Sequence, residues 1–194
     1  MKILITILFC IFNLVYSYSQ TSLDSLLFQK INEYRLSKGL DILIWDNNVY
    51  KMSNHHSTYL SLFTDSIIKI KGEKTKTGIF GHSENKKIDG IEQLPNVMDR
   101  INKFISTKIN KKITGGENCL LTSYYKYENV DDIINKFITL WKGSKLHNDF
   151  LLNKEIKYGA CSVVEKNIIL NYEDRIVHTY YKYIWITFNG IYYY

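Results

Sequence analysis

The sequence predicts an α+β fold, and three observations carry that expectation. Segments with helical periodicity fill the first part of the chain, alternating segments cluster near its end, and no repeat or linker divides the two. Helices first and strands last give segregated elements around an antiparallel sheet rather than alternating βα units. The only proline is Pro95 and no Gly-rich stretch appears, so residues 20–194 read as one domain. A hydrophobic content of 45% and a charged content of 23% are ordinary for a globular protein.

The opening MKILITILFCIFNLVYSYSQ precedes this domain. Lys2 is followed by an apolar run from Ile3 to Tyr16, then by Ser17 and Ser19 at small-x-small spacing, so residues 1–19 are expected to be a signal peptide. The run is too short for a comfortable membrane span of about 20 residues. Cys10 follows the bulky Phe9, where a lipoprotein site wants a small residue. The expected product is secreted or periplasmic, not integral to the membrane, and monomeric. Loss of Lys2 lowers the net charge from +6 to a modest +5. Apart from Lys69–Lys76 the lysines are scattered, and no nucleic-acid motif is present.

The first helix is expected from Ser22 or Asp24, either of which can cap it, to Gly39, with Leu23, Leu27, Ile31 and Tyr34 at helical spacing. Asp41–Asp46 is a short extended connection. Asp46 caps a second helix through about Leu62, whose apolar face carries Val49, Met52, Leu60 and Phe63. His56 shares that face and reads as a satisfied core histidine, with His55 turned about 100° away. Residues 64–90 lack periodicity and read as a long loop containing His82.

A third helix is expected from Pro95 to Ile105. A fourth follows Asn129, with Val130, Ile133, Ile134, Phe137 and Trp141 in register, and Ser144 can cap a short fifth helix containing His147. Tyr158–Val164 and Asn167–Tyr172 flank Glu165-Lys166 as a hairpin. Tyr183, Trp185 and Thr187 alternate with Ile184, Ile186 and Phe188 in a last strand. The two cysteines beyond the signal peptide, Cys119 and Cys161, can form a disulfide in an oxidising compartment, and their spacing leaves the pairing open.

In INEYRLSKGLDILIWD, Asn32, Arg35, Gly39-Leu40, Leu43 and Trp45-Asp46 stand in a pattern that continues with His56 on the second helix. FGHS with His82, GGENCL with Glu117-Asn118, W-x-x-S-x-x-H through Trp141, Ser144 and His147, YGAC, and a closing aromatic strand then follow in order. Together these landmarks resemble the CAP superfamily of cysteine-rich secretory, antigen 5 and pathogenesis-related 1 proteins, in its bacterial secreted form. The resemblance implies an α-β-α sandwich with a central antiparallel sheet. It also implies a cleft lined by two histidines and two acids that binds divalent metal in some members.

His82, Glu117 and His147 match three of those four positions, with Asn118 and Ser144 beside them as cleft residues. The second acid has no counterpart: Thr139 and Ser144 flank Trp141, and neither is acidic. Glu84 is an acid near His82, but it would approach from another direction. A His₂Glu set with an open position suits Zn2+. Gly115-Gly116 would let the backbone approach closely and aim the Glu117 carboxylate, while Glu117 and Asn118 can alternatively satisfy buried donors as wall residues.

The expected function is a secreted CAP-like module whose cleft binds a protein, glycan or lipid, with or without a divalent metal. A metal-assisted hydrolase of cell-wall or protein substrates and a lipid or sterol carrier are the alternatives. H-E-x-x-H and G-x-S-x-G are both absent, so neither signature supports hydrolysis.

Overall fold

The computed structural model describes residues 22–68, 81–105, 113–172 and 175–193. The expected signal peptide and the Lys69–Lys76 run lie outside the described residues. In order the elements are α1 (Leu23–Ser37), β1 (Ile44–Trp45), α2 (Asn47–Ile68), α3 (Val97–Phe104), β2 (Ile113–Tyr125), α4 (Val130–Lys142), α5 (Lys145–Leu151), β3 (Tyr158–Tyr172) and β4 (Arg175–Tyr193).

The helix starts follow their caps. Ser22 accepts from the Ser25 amide, and the Asp46 carboxylate takes the Asn48 and Val49 amides at 2.8 and 3.0 Å. Asn96 and Asp99 form a reciprocal capping box, so α3 begins at Val97, just beyond Pro95. Gly39 ends the α1 turn with φ 72°, a left-handed conformation that glycine adopts at little cost.

The sheet order is β1-β3-β4-β2. β4 pairs antiparallel with both β2 and β3, as the sequence predicts, while the two-residue β1 joins the far edge parallel to β3. The period-2 pattern of β4 sorts its side chains between two helical layers. Ile184, Ile186 and Phe188, with Cys161 of β3, pack against Leu27 and Ile31 of α1 and Phe137 and Trp141 of α4. From the other face, Ile191 and Ala160 meet Val49 and Met52 of α2 and Ile101 of α3, and Trp185 meets Tyr59 and Leu60. Helices thus cover both faces, which is the α-β-α arrangement.

Two motif residues act as fasteners. Buried Arg35 donates to the carbonyls of Leu151 at the end of α5 and Asn153 just beyond it, at 2.7 and 3.0 Å. Asn32 exchanges a pair of hydrogen bonds with the Leu43 backbone.

Three expectations are corrected. Glu165-Lys166 is not a turn: β3 runs unbroken to Tyr172, with Glu165 opposite Ile184 and Lys166 opposite Tyr183. The long β2 lies where no strand was expected. The Cys119–Cys161 disulfide does not form, and both thiols are free. Cys119 lies across β4 from Thr187 and Cys161 from Phe188, so the two sit on different strands with side chains on opposite faces of the sheet, out of bonding range.

Candidate functional site

Three segments converge on edge strand β2. Glu117 and Cys119, two residues apart, face the α2 layer. α2 contributes His55 and His56, the irregular segment 81–94 contributes His82 and Glu84, and α3 contributes Arg100. Glu117 is buried, and Arg100 Nη2 donates to both of its oxygens, at 2.9 and 3.0 Å. His82 Nδ1 lies 3.1 Å from Glu117 Oε1 and His56 Nε2 3.4 Å from the same oxygen. Cys119 Sγ stands 3.4 Å from that oxygen and 3.7 Å from His82 Nδ1.

A second carboxylate lies behind the first. Fully buried Glu84 takes His56 Nδ1 at 3.0 Å, His55 Nε2 at 3.3 Å, Arg100 Nη1 at 3.3 Å and the Leu94 amide at 2.6 Å. Arg100 also donates to the carbonyls of Leu94 and His82, at 3.0 and 2.9 Å. One guanidinium therefore anchors both carboxylates and the backbone beside His82. Buried charges survive only with such partners.

The electrostatics follow from burial and neighbours. Burial alone would raise the Glu84 pKa, but hydrogen bonds from His55, His56 and the Leu94 amide outweigh it and bring it to about 2. Glu117 is likewise fully desolvated, yet His56, His82 and Arg100 hold it below the usual carboxylate range. Burial, then the neighbouring Glu117, pushes the Cys119 thiol well above its ordinary value, so it stays protonated at neutral pH. Burial and the nearby His82 lower the His147 pKa, leaving a neutral ring.

The structure brings His82 and Glu117 together. His147 approaches from the opposite helical layer, close enough to His82 for that imidazole to disfavour the charged form of His147. Asn118 faces that layer and donates to the His147 carbonyl at 2.9 Å, tying α5 to β2. Ser144 precedes α5 without a side-chain capping bond, although its carbonyl takes the Asn148 amide at 2.8 Å. The imidazole, carboxylate and thiol atoms that gather within 4.8 Å of one another come from His56, Glu117 and Cys119, and His147 is not among them.

His56 is the satisfied core histidine the periodicity predicts: it is fully buried, with Nδ1 3.0 Å from Glu84 and Nε2 3.2 Å from the Gly81 carbonyl, and what the sequence did not show is that it sits between Glu84 and Glu117. Arg100 was not foreseen at all. Its signal was its place on the face defined by Val97, Ile101 and Phe104, since an arginine on a buried helix face demands buried acceptors.

No protein-family model and no curated protein sequence matches the chain. Among solved structures, it is similar to an extracellular protein containing an SCP domain from Bacillus anthracis. The TM-score is 0.50 at 18% identity, covering 88% of this chain and 40% of that one. This chain thus spans well under half of that protein's length. An outer surface protein from Borrelia burgdorferi also matches, with TM-score 0.45 and 16% identity over 85% of this chain and 89% of that one. The layered sheet and the first of these likenesses give the chain its fold, that of the SCP-like, or CAP, domain.

Proposed function

We propose that the chain is an exported SCP-like module whose cleft, formed by His82, Glu117 and His147, takes a divalent metal and through it a ligand or partner. The observation that carries this reading is the placement of half-exposed His82 against buried Glu117, with Arg100 fixing the carboxylate from behind. The donors suit a borderline-soft cation: His147 is neutral, His82 is accessible, and Glu117 is ionised. A bound zinc would supply a Lewis acid with an open position toward solvent. Asn118 would hold the carbonyl of His147 while the ring faces the metal. The signal sequence and the extracellular SCP-domain neighbour support export.

Calorimetric zinc titration of the purified exported protein, beside His147→Ala, tests this. Micromolar or tighter binding that the substitution abolishes is expected. No binding by the wild type would overturn it. A Cys–His hydrolase is disfavoured by the protonated Cys119 thiol. Turnover of cell-wall or protein substrates that a chelator removes would instead favour the metal-assisted hydrolase. Lipid extracted from the purified protein would favour the carrier.

A further inference from the structure

The geometry points to Cys119 as a metal ligand: we infer a zinc position made by Cys119 Sγ, Glu117 Oε1 and His56 Nε2, with thiolate taking the place of the absent second acid. The inference rests on the reading that the cleft takes a divalent metal, and it changes which atoms hold it. Donors about 2.0–2.3 Å from a tetrahedral zinc stand about 3.3–3.8 Å from one another. Here His56 Nε2 and Cys119 Sγ each stand 3.4 Å from Glu117 Oε1, and the three donors lie within 4.8 Å of one another. Magnesium and calcium prefer six or more oxygen ligands, so a sulfur–nitrogen–oxygen set selects zinc or its chemical neighbours.

Three independent features point to an occupant. First, Glu117 Oε1 is overcommitted. Arg100, His82, His56 and Cys119 all approach it within 3.4 Å, more donors than one carboxylate oxygen can accept well. A cation between His56 and Cys119 would turn two of these crowded donors into ligands and leave the oxygen its neighbours Arg100 and His82.

Second, the outer shell is already built. A zinc-binding histidine donates its other ring N–H to a carboxylate, and His56 Nδ1 sits 3.0 Å from Glu84, whose position the Leu94 amide and Arg100 fix. Third, Asn189 Oδ1, an acceptor, is fully buried with no hydrogen-bond partner among the described residues, and Asn189 lies directly across the ladder from Glu117. Buried polar atoms without partners mark a water or ion that completes the site.

On binding, the Cys119 S–H bond breaks, sulfur keeps the electron pair as the metal–sulfur bond forms, and the proton leaves to solvent. No oxidant or co-reactant is needed.

Cobalt(II) added to the purified exported protein tests the assignment, because thiolate ligation gives a sulfur-to-cobalt charge-transfer absorption in the near ultraviolet. The band is expected in the wild type, with zinc displacing it. Cys119→Ser should lose it and bind zinc more than about 100-fold more weakly, beyond the usual effect of an outer-shell partner. The wild-type spectrum does not depend on how the variant folds. Metal binding without the band would overturn the thiolate site while leaving the His82–Glu117–His147 cleft standing, to be judged by His147→Ala. Absence of any metal binding would overturn both.

Discussion

Arg100→Met keeps the length and apolar stem of the side chain while removing the guanidinium that joins the two buried carboxylates. The wild-type group makes five contacts: three to Glu117 and Glu84 oxygens at 2.9–3.3 Å, and two to the carbonyls of Leu94 and His82. Glu84 would keep His55, His56 and the Leu94 amide, so the penalty falls mainly on Glu117, which would lose the donor to both its oxygens. Breaking a buried pair by removing one partner costs about 3–5 kcal/mol. For a domain of this size that lowers Tm by about 6–20 °C.

Urea denaturation at neutral pH is the assay, repeated at acid pH. Wild-type carboxylates are held below their ordinary pKa, so their stabilisation is present above the unfolded value and lost as pH falls through the folded one. The deficit of the variant should therefore shrink in acid. Adding Glu117→Gln should recover part of the loss, about 1–3 kcal/mol of coupling between residues in direct contact. A loss below about 1 kcal/mol at neutral pH, or one equally large in acid, would refute the claim that this guanidinium neutralises the site.

Glu84→Gln should flatten the acid-unfolding curve. The wild type loses stability between about pH 4.5 and 2 as this carboxyl protonates, worth about 3 kcal/mol, and a pH series of denaturation midpoints reads the difference. Gly116→Ala places a Cβ 2.6 Å from the Phe150 ring of α5. It should cost about 1–3 kcal/mol and shift the His147 resonances in an NMR spectrum, while leaving those of His55 in place. Asn118→Ala leaves the His147 carbonyl without its donor and should cost about 1–2 kcal/mol, measured by thermal unfolding, with the His147 pKa moving back toward its ordinary value.

Much of the fold was legible because caps and periodicity are local. Ser22, Asp46, Asn129 and the alternation across Ile184–Phe188 each worked as elementary rules require. β2 was not legible because its stretch carries Gly115, Gly116, Glu117 and Asn118, which hide an alternation that serves one helical layer on each side. Glu165-Lys166 looked like a turn because both residues are charged. In the sheet Glu165 accepts from Tyr124 and Lys182, and Lys166 reaches the Ser61 carbonyl, so the pair finds partners without leaving the strand.

The candidate site divides the same way. His82 and Glu117 were marked by ordered motifs, and the structure sets them side by side. The roles of His56, Arg100 and Cys119 depend on which faces meet across 16 to 61 positions of chain, and a helical wheel gives a direction without a destination. For His56 the direction was right, and only the tertiary contact with Glu84 and Glu117 shows that the inward face meets charge.

The central place of β4 has a consequence for how the site comes into being. His55, Glu84, Arg100 and Cys119 all belong to chain made well before β4, yet the roof over them includes Thr187 and Asn189 of that last strand, with Asn189 bonded to Ser53 of α2. Until β4 slides between β2 and β3, water can reach every charge in the cluster, and its ion pairs are screened to a fraction of their final strength. The closing strand is thus the step that dries the site. A chain trimmed before Thr187 would carry every acid, histidine and arginine of the cluster without the low-dielectric setting that makes them act as one unit.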